Sequence, residues 1–213
     1  MAQLPGVHRE FVRAAMAAPF LEREEEHQLG QRWRDERDQK ALDQLSASHM
    51  RLVIAIAARF RHYGLPIADV IQEGHVGLLE AAARFDPDRE VRFSTYATWW
   101  IRAAIQDYVL RNWSIVRGGT SSTQKALFFN LRRLRAQMGS TPDVAKSSIY
   151  DRIGKAIGVS SADVELMSAR FSGPDISLNG PISGDDPFDS AERGDFLVDE
   201  RPLPDETVGE DID

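Results

Sequence analysis

RFDPDREVRFSTYATWWIRAAIQDYVLRNW, residues 84–113, decides how this chain is read. Asp86-Pro87-Asp88 is a turn signal. The residues after this turn read as one helix of about five turns, with Ser94 or Thr95 available to cap it. With Ile101 at the centre of the buried face, helical geometry puts Ala97, Ala104, Ile105 and Tyr108 on the same side. Tyr96, Trp99, Ala103 and Gln106 fall opposite, and Trp100 lies at the flank. Arg84, Arg89, Arg92, Arg102, Arg111 and Arg117 surround them. Two readings meet here. Tryptophan is usually mostly buried, so both could be core residues of a helical bundle. The helix already has an apolar face without Trp99, however, and an aromatic ridge among arginines suits unstacked bases and their phosphates.

Outward from this stretch the chain stays helical. Ala, Leu, Arg, Glu and Gln dominate and strand signals are almost absent, which predicts an all-α fold. The organisation expected is a short N-terminal segment over 1–18, a helical bundle over 19–117, a second small helical domain over 118–172 and an acidic irregular segment over 173–213. Pro19 precedes a charged helix from Leu21 to Arg37, anchored by Leu21, Leu29 and Trp33. Its run Glu22-Arg23-Glu24-Glu25-Glu26 favours a helix start through the dipole and reads as a solvated face. Residues 39–63 read as one apolar helix, with Leu42, Leu45, Leu52, Val53, Ile56 and Phe60 recurring, ended by Gly64-Leu65-Pro66.

The next helix, Asp69 to Phe85, holds Gly74 and Gly77. Each costs roughly a kcal/mol relative to alanine, but the pair permits close approach of another helix. Asp69, Gln72, Glu73 and Val76 make a mixed strip suited to a partner helix, though a solvated face would look the same. Downstream, Gly118-Gly119 is a break, and Ser121-Ser122-Thr123-Gln124 fits a capping box. Leu127, Phe128, Leu131, Leu134 and Met138 give that helix its apolar face, with Phe129 pointing elsewhere. Thr141-Pro142-Asp143 starts another helix, and Gly158-Val159-Ser160 turns into a last one, Ser161 to Arg170. The pair resembles a helix-turn-helix, but one base and two acids on its second helix suit a DNA groove poorly.

The net charge of −7 is unevenly spread. Residues 171–213 carry a net −11, while residues 84–135 carry +6. The local balance argues for nucleic acid where the overall balance argues against it. The acidic end is expected to be disordered when free; its acids could mimic a nucleic-acid backbone or simply solvate a linker. The chain has no cysteine, which excludes disulfides and thiolate metal sites. MAQLPGVHREFV lacks a long apolar run and no membrane-spanning segment appears later, so an intracellular, cytoplasmic protein is expected. His8, His27, His49, His62 and His75 form no metal pair at helical spacing. No phosphate loop, dinucleotide glycine pattern or nucleophile elbow appears. No catalytic residue, metal or cofactor is expected, and an enzyme is the weakest class.

Several stretches together resemble one family. DVIQEGHVGLLEAAARFDPDREVRFSTYATWWIRAAI is similar to the most diagnostic region of bacterial RNA polymerase sigma factors, and QKALFFNLRRLR, Gln124 to Arg135, to the box typical of heat-shock members. The tail GDFLVDERPLPDET resembles the family's linker, so the likeness covers roughly residues 20–200. The resemblance implies an all-α promoter-specificity factor that directs core RNA polymerase to heat-shock or stress promoters. Leu65 to Glu80 matches the part that docks on the polymerase clamp helices, with Asp69, Gln72 and Glu73 as contacts. Phe85, Arg89, Phe93, Tyr96, Trp99 and Trp100 match positions that capture flipped bases of the melted minus-ten element on the non-template strand. Ala103, Gln106 and Asp107 match positions that read its upstream duplex edge. Arg51 lies where the family handles a downstream base, and Lys125 is placed to approach DNA or polymerase. Heat-shock membership also raises chaperones or a protease as partners.

Departures from the housekeeping pattern are Val91 in place of a tyrosine, and Ala103, which cannot hydrogen-bond a base, in place of a glutamine. The acidic domain that precedes housekeeping cores is absent from the sequence, and Asp213 falls where the domain reading the minus-thirty-five element is expected to begin. This leaves two rival readings: a truncated decoy that occupies core polymerase, and a stand-alone helix-turn-helix regulator.

Overall fold

The computed structural model describes residues 6–116, 121–138, 146–171, 173, 175–180 and 192–198. Among these every regular element is helical, as the composition predicts. The α-helices are α1 (Gly6–Ala17), α2 (Arg23–Glu36), α3 (Gln39–Ser48), α4 (Met50–Ala57), α5 (Ile67–Ala83), α6 (Phe93–Asn112), α7 (Ser122–Met138), α8 (Lys146–Ile157) and α9 (Ser161–Arg170). Short 3-10 segments cover Ala58–Tyr63 and Arg193–Phe196. The chain divides into two compact units, one ending at Met167 and the other starting at Ser168.

In the first unit α5 and α6 form the central pair, and α4 packs on both. The reason lies in α5's glycines. A Cβ on Gly77 would sit 2.7 Å from the Trp100 carbonyl oxygen and 2.8 Å from the Ala104 Cβ. One on Gly74 would meet Val53 at 2.8 Å and Ile105 at 3.0 Å. The low helix propensity is therefore offset at Gly77 by close approach to the α6 backbone and at Gly74 by close packing of the Val53 and Ile105 side chains. Val53, Val70, Leu78, Ile101, Ile105 and Val109 are fully buried between these helices. Around this pair, α3 packs on α5, α2 on α3 and α1 on α4, while α8 packs on α7.

Two local expectations are corrected. Residues 39–63 are not one helix. The chain breaks at His49 (φ −103°, ψ 4°), whose Nδ1 lies 2.8 Å from the Leu45 carbonyl oxygen, and resumes as α4 and then as a 3-10 turn ending at Gly64 (φ 79°). Ser94 and Thr95 do not cap α6 either. They lie inside it; Arg92 is the flanking residue, and the Phe93 amide donates to the Glu26 carboxylate of α2 at 3.2 Å. A carboxylate from a distant helix thus serves the orphan donor and the positive end of the dipole.

The start of α7 uses Ser121 as expected, its Oγ accepting from the Gln124 amide at 3.2 Å. Ser160 accepts from the Asp163 amide at 3.1 Å at the start of α9, after Gly158 in the left-handed region (φ 83°). Ile153 and Val164 are buried, so the α8–turn–α9 segment has a packed face on each helix. In the second unit, read by itself, the described stretches 175–180 and 192–198 are joined by backbone hydrogen bonds. The Gly194 amide donates to the Leu178 carbonyl at 2.9 Å, and the Arg193 amide to Gly180 at 3.2 Å. Arg117, the Gly118-Gly119 break, the Thr141-Pro142-Asp143 start and Asp185-Asp186 lie outside the described residues.

Candidate nucleic-acid interface

The face of α6 opposite its buried side is built as the sequence periodicity predicts. Ala97, Ile101 and Ile105 are fully buried, Ala104 and Tyr108 half-buried. Trp99 is 71% exposed. Ala103 is exposed and Gln106 half-buried one and two turns further along. Leaving that much indole in water costs hydration free energy that the bundle does not require, since the core closes without it.

Behind Trp99 a chain of rings runs outward from the core. His49 meets Phe93 edge-on at 4.7 Å, Phe93 meets Phe85 at 5.1 Å, Phe85 meets Tyr96 at 6.0 Å, and Tyr96 meets Trp100 at 6.2 Å. The guanidinium of Arg84 lies 4.8 Å from the Trp100 ring. Phe93 is 0% exposed and Phe85 is also buried. The family resemblance puts both among the base-capturing residues; in the structure both are buried, and Phe85 is the one that meets Tyr96. Arg84, Phe85, Asp86, Arg89, Val91 and Tyr96 line a cavity of about 160 Å³ beside the ridge. Val91 is exposed while lining it. Arg89 is exposed and reaches Asp86 at 3.3 Å, while Arg34 of α2 pairs with Asp88 and lies 3.7 Å from Asp86. The turn before α6 is thus pinned to α2.

The start of α6 is held by a buried carboxylate that the sequence reads as part of a solvated face. Glu26, 3% exposed, accepts from Arg92 Nε at 2.9 Å, Arg92 Nη2 at 2.8 Å and the Phe93 amide, and lies 3.3 Å from His49 Nε2. Burial by itself would raise its pKa. The hydrogen bonds from Arg92 and Phe93, with the charges of Arg92 and His49, outweigh this and hold it below the ordinary carboxylate value. The acidic run hid Glu26. A signal was present all the same: it shares a helical face with Leu29, Gly30 and Trp33.

Two other predicted positions hold each other. Asp107 accepts from Lys125 of α7 at 3.1 Å and pairs with Arg111 at 3.0 Å. Arg51, half-buried on α4, donates to the Ala18 carbonyl and stacks on Phe20. The mixed strip of α5 is presented as expected, with Asp69, Gln72 and Val76 exposed and Glu73 partly so. It lies beside Tyr108, whose hydroxyl is 3.5 Å from Asp69 Oδ2. Burial, then the charges of Asp69 and Glu73, push that phenol above its ordinary value. Among the described residues no cluster of three potential metal ligands occurs, and no helix is long and apolar enough to cross a membrane.

Comparison with known proteins meets this geometry. The family described as Sigma-70 region 2 matches residues 45–115, which span the end of α3 through α6. RNA polymerase sigma factor RpoH of Caulobacter vibrioides is 44% identical over 196 residues, covering 91% of this chain and 65% of the relative. RpoH of Zymomonas mobilis is 44% identical over 195 residues, covering 91% and 64%. RNA polymerase sigma-C factor of Myxococcus xanthus is 38% identical over 168 residues, covering 78% and 57%. The chain spans somewhat under two thirds of the length of the curated relatives it matches. An exposed tryptophan ridge on a helix packed closely on its neighbour through Gly77 lies inside the region these sequences share: the chain carries the Sigma-70 region 2 domain of RNA polymerase sigma factors, and over most of its length it is similar to the heat-shock sigma factors named RpoH.

Proposed function

We propose that this protein is a promoter-specificity factor that docks on core RNA polymerase and holds the melted minus-ten element of heat-shock or stress promoters. The observation that carries the reading is Trp99, exposed on α6 next to Tyr96 and Trp100 and flanked by arginines. The mechanism is preferential binding. Unstacking a base costs about a few kcal/mol per step, and stacking on an aromatic side chain returns about 1–3 kcal/mol per base. A surface that binds only the unstacked strand shifts the equilibrium towards the open promoter. Asp69, Gln72, Glu73 and Val76 supply the polymerase contact on α5, facing the clamp helices of the largest subunit. Arg89, Tyr96, Trp99 and Trp100 supply the strand contact, Ala103, Gln106 and Asp107 the upstream duplex edge, and Phe85 and Phe93 support the ridge from below. Lys125 acts through its pairing with Asp107. As a factor that lends binding energy to polymerase, the protein works without a catalytic residue of its own.

The test is transcription by core polymerase plus this chain from a heat-shock promoter, with and without a pre-melted minus-ten bubble. Trp99→Ala with Trp100→Ala is expected to lower open-complex formation by roughly 5- to 150-fold per lost base contact while leaving polymerase affinity unchanged. Asp69→Ala with Glu73→Ala is expected to do the reverse. Failure of the wild-type chain to bind core polymerase would sink the reading. Binding without transcription from either template would favour occupation of polymerase as a decoy.

A further inference from the structure

We propose that Phe20 is a latch over Arg51, so that the segment joining α1 and α2 competes with a nucleic-acid phosphate for this arginine; the proposal rests on the reading of the chain as a holder of melted DNA. The observations converge on one guanidinium. Its carbon lies 3.6 Å from the centroid of the Phe20 ring. Its Nη2 donates to the Ala18 carbonyl. Its Nε is buried and has no hydrogen-bond partner. A guanidinium offers five donors in a planar fork matched to an anion with two oxygens. Arg51 is given a ring face and one neutral carbonyl instead, and a charge-assisted bond to an anionic oxygen is the stronger interaction.

Phe20 is the weak side of this contact. It follows Pro19 in a stretch, residues 18–22, that belongs to neither helix, and its side chain is 76% exposed. The next residue, Leu21, is buried and anchors the segment. Phe20 can therefore swing about a fixed point without unpacking the bundle. The same segment walls a cavity of about 480 Å³ whose other side is formed by Leu52 and Ala55 of α4 and Ser94 of α6. Arg51 lines the same cavity, so an anionic group entering it would meet the guanidinium. Closed, the latch lowers attraction for non-specific polyanions; opened by a strand, it gives Arg51 a phosphate.

The experiment measures binding of a fluorescent minus-ten single strand to the holoenzyme across a salt series. Phe20→Ala is expected to tighten binding about two- to five-fold, the strength of an exposed cation–π contact, with a fall in thermal midpoint of no more than about 4 °C from the same lost contact. Arg51→Ala is expected to weaken binding and to reduce the salt slope by about 0.7, one phosphate on a single strand. Phe20→Ala added to Arg51→Ala is expected to do nothing further, and Phe20→Tyr to behave as wild type. Weaker or unchanged binding by Phe20→Ala, or a gain that persists without Arg51, overturns the latch. If the wild-type holoenzyme does not distinguish the minus-ten strand from a scrambled one, the promoter reading fails. The latch is then judged on the scrambled strand by the same comparison.

Discussion

Replacing Glu26 with alanine should damage the protein more than any other single change among its acidic residues. The carboxylate is almost fully buried, receives two hydrogen bonds from Arg92 and one from the Phe93 amide, and neighbours His49. Removing one partner of a buried ion pair costs about 3–5 kcal/mol. Arg92 is half-exposed and can rehydrate, which favours the lower end of that range. The lost service to the start of α6 adds about 1 kcal/mol, giving roughly 4 kcal/mol against a total of about 5–15 kcal/mol. For a chain of this size that is a fall in Tm on the order of 10 °C, read by circular dichroism. The acid limb gives a second check. Because the folded pKa of Glu26 is depressed, its contribution is complete above the unfolded value near 4.5 and is lost as pH falls through the lower folded value. Glu26→Gln should therefore lack that component of acid destabilisation while keeping an acceptor for the Phe93 amide. A loss below about 1 kcal/mol for the alanine variant, or an unchanged acid profile for the glutamine variant, would refute the placement of Glu26 as the buried cap of α6.

Gly77→Ala tests the close approach of α5 and α6. Alanine gains about 1 kcal/mol of helix propensity, but its Cβ would lie 2.7 Å from a backbone oxygen that cannot swing away. Overpacking of about 1–3 kcal/mol should win, lowering the urea midpoint; a higher midpoint would contradict the packing. Asp69→Asn should lower the Tyr108 pKa towards 10.0, since a neighbouring carboxylate disfavours the phenolate. Phenolate absorbance, assigned with Tyr108→Phe, reads the shift, and no change would separate Asp69 from Tyr108. Replacing both Asp69 and Tyr108 should leave the Tyr96–Trp99–Trp100 ridge intact, which binding of a minus-ten single strand, as proposed above, would report.

Much of this protein is written in local sequence. Helical class follows from composition, and the two sides of α6 follow from spacing, because a 3.6-residue period puts Ile101 and Trp99 on different faces whatever surrounds them. Gly74 and Gly77 announce close packing because a helix otherwise disfavours glycine. The basic stretch argues for nucleic acid, and the motif running through Tyr96-Trp99-Trp100 carries the resemblance to sigma factors. Other features depend on partners distant in sequence. Phe93 reads as one more aromatic of the ridge, but the arrival of His49 and Phe85 buries it. Glu26 reads as one acid in a run, and only the docking of α2 beside the start of α6 makes it a cap. The break at His49 is invisible to apolar periodicity, since the residues on both sides keep the period while the imidazole turns to Leu45 and Glu26. Arg51 reads as free to meet DNA, but the fold brings Phe20 across it. Periodicity records which way a side chain points from its own helix; only tertiary structure decides what stands there to meet it.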